Sequence, residues 1–186
     1  MKIKRDCTLD KTIELAKAQK EFEHIIQDLV QNETVQQMKN FRQHYTTSCY
    51  DHCKEVAFYS YLICKKLNLD YVAAARAGML HDLFLYDWRK RLDGRKGLHA
   101  FTHPKTACAN AKKLFLLSEK EQDIIIKHMW PLTFFFPKYK ESYIISFVDK
   151  YCAISESFRA YGDRLNHTKL PRYAYVFLSI FLFRIW

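Results

Sequence analysis

The sequence predicts an all-α fold, a single-domain helical bundle whose facing helices point histidines and aspartates at a common interior. Three observations predict it. Only four glycines and four prolines punctuate 186 residues, so turn-forming positions are sparse. Apolar residues recur at helical spacing over most of the length, and strand-like alternation is nearly absent. Serine, aspartate and threonine stand at positions that can cap helix starts. A chain of this length can bury a real core as one domain. Its 49% apolar and 27% charged residues are those of an ordered globular protein.

The elements follow in order. From Leu9 to about Lys39, Ile13, Ala16, Phe22, Ile25, Ile26, Leu29 and Val30 keep helical spacing. Residues 1–47 are therefore expected to form a helical extension packed on the main domain, 48–161. Ser48 followed by Asp51 reads as a cap and its reciprocal partner, opening a helix to about Leu67. Asn68 suits a left-handed stop and Asp70 a cap for Tyr71 to about Leu83, where the small residues of VAAARAGML allow close packing. Asp87 to Phe101 holds two glycines and several charges and reads as a loop. Thr102 can cap a helix from His103, with Pro104 in its first turn. Ser118 and Glu121 make a capping box for a helix through His128. Pro131 and Pro137 bracket a bend, Phe134 to Phe136 is too short for a strand, and a last helix is expected from about Lys138 to Tyr161.

Residues 162–186 are an apolar tail. Tyr173 to Trp186, YAYVFLSIFLFRIW, is too short for a comfortable membrane span and contains Arg184. A closing core element is the expectation, with a membrane-surface or partner-binding tail as the alternative.

A formal charge of +10 and a pI near 9.3 favour anionic partners. The basic residues are scattered (Lys2, Lys17, Lys112 and Lys140 are examples) and no nucleic-acid motif accompanies them. The charge is therefore read as help for a phosphorylated small molecule at most, rather than as a sign of nucleic-acid binding. Six cysteines show no CxxC pair, which excludes a zinc ribbon or thioredoxin-like site. The first thirty residues lack a leader-like apolar run, so reduced thiols and a cytoplasmic location are expected.

The chemistry-bearing constellation is His52, then His81-Asp82, then His103, His128 and Asp149. A single histidine on an apolar helix is more often a hydrogen-bonded core residue than a ligand. The weight here comes from six such positions, each on an expected helix or at its end. Bundles build metal sites in this way, from facing helices. Asp82 could bridge two ions through its two oxygens while His81 binds one through a ring nitrogen. Asp149 shares a face with Ile145 and Cys152, where an unpaired carboxylate would be costly. Imidazoles mixed with carboxylates suit Fe, Mn, Co, Ni or Zn rather than Ca. His44 and His99 are further histidines, and His99 is the main rival to His103.

The order H…HD…H…H…D, carried by YDHCKEVAFYSYLICKKLNLDYVAAARAGMLHDLFLYDW, HAFTHPKTACANAKKLF, DIIIKHMWPLT and ISFVDKYCAISE, resembles the HD superfamily of metal-dependent phosphohydrolases. The resemblance runs from about Tyr50 to Glu156, looks like a bacterial HD-domain group, and is similar in metal pattern to diadenosine tetraphosphate hydrolases. It implies that His52, His81, Asp82 and Asp149 hold one divalent transition metal, and that His103 and His128 help hold a second. The implied reaction is hydrolysis of a phosphate ester or anhydride, of a nucleotide or dinucleotide, by a metal-activated water that Asp82 orients. Arg89 and Lys127 are expected as catalytic cations, with Lys105 and Trp130 as substrate contacts and Tyr86 as a second stacking candidate. Two departures stand out. Leu85 occupies the position, three residues after the His-Asp pair, where many members carry a lysine. The glycine-tyrosine-proline signature of cyclic-di-GMP phosphodiesterases is missing, which argues against that substrate. The lost lysine keeps an alternative open, a non-catalytic, metal-stabilised nucleotide-binding or regulatory module.

Overall fold

Caps start the helices at most of the expected positions. The computed structural model describes residues 7–44, 47–90 and 97–167, so the apolar stretch 173–186 lies outside the described residues. Its elements are α1 (Cys7–Ile25), α2 (Gln27–Gln31), α3 (Glu33–Gln36), a 3-10 turn (Gln37–Asn40), β1 (Arg42–His44), β2 (Thr47–Ser48), α4 (Cys49–Lys66), α5 (Tyr71–Leu80), α6 (His99–Leu114), α7 (Glu119–Lys127) and α8 (Lys140–His167). The fold is all-α, and its one sheet among the described residues is the short antiparallel β1–β2 pair.

Ser48 Oγ accepts from Asp51 N at 3.1 Å and donates to Asp51 Oδ2 at 2.6 Å, so α4 begins where the sequence predicts. Asn68 ends the helix with φ 55°, and Leu69 N returns to Cys64 O at 2.9 Å. Asp70 Oδ1 accepts from Ala73 N at 3.0 Å and starts α5. Ser118 and Glu121 form the complete capping box of α7, with Ser118 N donating to Glu121 Oε2 at 2.8 Å.

Several boundaries differ from expectation. The expected helix from Leu9 to Lys39 is broken twice. Asn32, extended at φ −74° and ψ 125°, accepts from Thr34 N and Val35 N and so caps a new helix. α6 starts at His99, four residues early, so Thr102 does not cap it. Its hydroxyl instead donates to Leu98 O at 3.2 Å, and Pro104 lies inside the helix. α8 starts at Lys140, two residues later than expected, where Asp123 Oδ2 accepts from Lys138 N just before the helix (2.9 Å) and from Ser142 Oγ in its first turn (2.7 Å).

α4 and α5 form the centre, with α7 and α8 packed around them and α6 against α7. Phe22, Ile26, Leu29, Val35 and Met38 of the N-terminal segment share one buried cluster with Val56, Tyr61, Leu80, Ile124 and Ile145. Arg76 on α5 reinforces this by donating to Asp28 Oδ1 and Oδ2 (2.6 and 2.9 Å) while its Nε lies 3.3 Å from Glu121.

The α4–α5 contact depends on Gly78. A Cβ there would lie 2.8 Å from Ala57 Cα, a backbone atom that cannot step aside. Gly78→Ala is therefore expected to destabilise the protein by roughly 1 to 3 kcal/mol through overpacking, partly offset by alanine's better helix propensity. At about 2 to 4 °C per kcal/mol, thermal denaturation should show the drop. An unchanged or raised midpoint would mean that the two helices can separate at no cost.

Candidate metal centre

Helix ends and one helix face bring the six residues together. His52 sits one turn into α4, His81 and Asp82 follow the last residue of α5, His103 lies in the second turn of α6, and His128 closes α7. Asp149 comes from the middle of α8. All six are buried, with His52 and His81 fully so.

Backbone carbonyls orient the imidazoles. His81 Nδ1 lies 2.7 Å from Gly78 O, His103 Nδ1 2.8 Å from His99 O, and His128 Nδ1 2.8 Å from Ile125 O. A carbonyl only accepts, so each Nδ1 donates its proton there and each Nε2 is turned to the interior. His52 Nδ1 is held at 3.0 Å by a carboxylate, Glu156 Oε1, which leaves its Nε2 3.1 Å from Asp149 Oδ1.

The donor atoms fall into two overlapping groups. His52, His81 and Asp149 form one, with His81 Nε2 3.6 Å from Asp149 Oδ1. His81, Asp82 and His128 form the other. His103 joins that second group, since its Nε2 is 2.8 Å from His128 Nε2 and 3.2 Å from Asp82 Oδ1. Asp82 faces both groups. Its Oδ2 is 3.6 Å from His81 Nε2, and its Oδ1 is 3.6 Å from His128 Nε2.

This packing fits a cation. His103 Nε2 and His128 Nε2 crowd to 2.8 Å, and both abut a carboxylate oxygen of Asp82. His81 Nε2 and Asp82 Oδ1 are buried with no hydrogen-bond partner among the described residues. Burial opposes ionisation of Asp82, yet the fields of His81, His103 and His128 hold its carboxyl far below the ordinary range. Asp149 is held down against burial in the same way by His52 and His81. Burial also opposes charge on His52, but its bonds to Asp149 and Glu156 raise it well above the usual imidazole value. Burial and the neighbouring charges of His81 and His103 push His128 down to about 3, so its imidazole is neutral at neutral pH.

A cavity of ≈ 290 Å³ opens onto the cluster, lined by Gln43, Trp88, His99 and Lys150 alongside Asp82, His103, His128 and Asp149. His99 forms one wall. Its ring stacks on Trp88 (5.5 Å, 13°) and on His103 (4.5 Å, 24°), and its Nδ1 meets Tyr86 Oη at 3.1 Å.

The expected cations and substrate contacts lie elsewhere. Arg89 Nε donates to Asp87 Oδ1 at 2.9 Å, and Lys127 pairs with Asp123 at 2.5 Å. Lys105 is exposed beside a different groove, with Phe101, Ile126 and Phe134. Trp130 packs edge-on against Tyr143 (5.0 Å) and Phe147 (5.8 Å) of α8. Packed there, the half-buried indole is not part of the cavity wall, and none of these four residues lines the cavity. Leu85, at φ 54°, is half-buried against the core and offers no charge.

Three residues that the sequence reading passed over do reach the site: Glu156, Lys150, and Gln43, whose Nε2 donates to Asp82 Oδ2 at 2.5 Å. Glu156 had a signal, because it lies seven residues after Asp149 and so on the same face of α8. Gln43 had none, since its position depends on the β1–β2 hairpin.

The HD domain family model matches residues 49–154, more than half of the chain. The chain belongs to the HD domain family. No curated protein and no solved structure is detectably similar to it. The match contains all six clustered residues of this HD domain, while Gln43 and Glu156 fall just outside its two ends. HD domains are in general metal-dependent phosphohydrolases that bind divalent metals, and the clustered His and Asp side chains could hold such ions.

Proposed function

We propose that this HD domain hydrolyses a phosphate ester or anhydride of a nucleotide or dinucleotide, using two divalent transition metal ions. The supporting observation is the arrangement of Nε2 atoms and carboxylate oxygens, above all His103 and His128 set 2.8 Å apart against Asp82. His52, His81 and Asp149 would hold one ion and His103 and His128 the other, with Asp82 giving one oxygen to each. This mixed imidazole and carboxylate set suits Mn, Fe, Co, Ni or Zn. When bound, such ions polarise phosphoryl oxygens and lower the pKa of water, which makes hydrolysis feasible at neutral pH.

The chain's own groups do the positioning. Three carbonyls and Glu156 fix the ring orientations, so the donor atoms need little rearrangement on binding. Asp82 would orient the attacking water. Trp88, which covers His99 and lines the cavity, offers an aromatic surface for a base, which supports the nucleotide class.

The test uses metal-stripped protein reconstituted separately with Mn, Fe, Co, Ni and Zn. Each form is assayed on p-nitrophenyl phosphate, bis(p-nitrophenyl) phosphate, mononucleotides and diadenosine tetraphosphate. Metal-dependent turnover of at least one is expected, with about two equivalents of metal per chain. Full metal occupancy without turnover would instead support the regulatory module that Leu85 keeps open. Failure to retain any metal would overturn both readings.

A further inference from the structure

Lys150 is the only lysine or arginine among the described residues that lines the cavity over the His/Asp cluster. It follows Asp149 on α8, and its side chain is 33% exposed, at the cavity wall rather than deep in the core. The ammonium is tethered. Nζ donates to His128 O (3.0 Å), Ser146 O (3.0 Å) and Ser146 Oγ (3.1 Å), and lies 4.0 Å from Asp149 Oδ2. The Ser146 hydroxyl spends its own proton on Trp130 O, so its lone pairs are free to accept.

Two of these acceptors belong to one serine and can share a single N–H. That sharing would leave the third proton of the ammonium for the cavity. The other cations expected to serve the site are occupied, Arg89 by Asp87 and Lys127 by Asp123. A phosphoryl group brings negative oxygens that a metal pair contacts on one side only. A second positive group on the cavity wall would complete their neutralisation.

We propose that Lys150 is the phosphate-contacting cation of this centre, meeting a non-bridging phosphoryl oxygen. This rests on the metal-dependent reading above and adds an anion subsite to it. The tether sets the ammonium in place before substrate arrives, so little side-chain freedom is lost on binding. A compact ammonium also suits a point contact to phosphate better than a bidentate one.

The bond to His128 O joins α8 to the end of α7, so a purely structural clamp is the rival role. Titration of inorganic phosphate into Mn-reconstituted protein separates the two, with metal content and thermal midpoint measured on each sample. Lys150→Met is expected to weaken phosphate binding by about 10- to 100-fold, the range for losing one charge-assisted hydrogen bond. Its metal content should equal that of the wild type. Lys150→Arg should recover part of the affinity. Unchanged phosphate affinity in Lys150→Met overturns the proposal. So does loss of metal in parallel with affinity, the mark of a clamp, and so does a metal-loaded wild type that binds no phosphate. A wild type that holds no metal overturns the metal-dependent reading itself, and the metal assay reports that separately.

Discussion

Asp82→Asn is expected to abolish metal-dependent turnover and to remove the stabilisation that metal gives the folded protein. Asp82 is the one residue whose oxygens face both donor groups, with Oδ1 toward His103 and His128 and Oδ2 toward His81. Asparagine keeps the shape but loses the charge, and one of its two ends becomes an N–H donor that repels a cation. A ligand at about a hundred times its Kd stabilises the native state by about 2.7 kcal/mol. For a chain of this size that is a rise of roughly 5 to 10 °C in Tm on adding metal. The wild type should show this rise and Asp82→Asn should show little of it. Activity should fall by roughly a thousandfold or more, since several kcal/mol of charge stabilisation disappear at about 1.4 kcal/mol per factor of ten. A variant that still gains stability from metal and still turns over would show that Asp82 is not the shared ligand.

The helices were legible wherever a local signal sets them. Ser48, Asn68, Asp70 and Ser118 act within three or four residues of themselves, and each does what the sequence predicts. The misplaced boundaries have non-local causes or competing caps. Asp123 reaches across to Lys138 N and Ser142 at the late start of α8. Asn32 resembles a mid-helix polar residue until its side chain is seen capping two backbone amides. The start of α6 is hidden because Leu98 caps it without a side-chain hydrogen bond.

The site divides along the same line. The six clustered residues could be named because metal-ligand side chains at helix ends are chemically conspicuous. The surrounding shell could not, because hydrogen-bond partners depend on tertiary placement. Arg89 and Lys127 seemed available in the sequence, but Asp87 and Asp123, two and four residues away, already engage them. Lys150 was hidden by its neighbour Asp149, although consecutive helix positions point only about 100° apart and both can border one cavity.

The second group of donors should be separable from the first. His128→Ala and His103→Ala each remove an Nε2 from the pair that lies against Asp82 Oδ1, without touching His52 or Asp149. Either variant is expected to lower metal content from about two equivalents to about one, measured by elemental analysis of reconstituted protein. His103→Ala should be the better folded of the two, because His103 keeps slight solvent contact (4%) while His128 is sealed (1%) between Ile125 and the rings of His81 and His103. With one ion left, less of the phosphoryl charge would be neutralised. Turnover should drop by roughly a hundredfold or more, on the scale of several kcal/mol of transition-state stabilisation. His52→Ala supplies the contrast, since it breaks the other group and leaves the His103–His128 pair standing. If His103→Ala retains two equivalents and full activity, the 2.8 Å approach of the two rings is a packing contact, and the centre is mononuclear around His52, His81, Asp82 and Asp149.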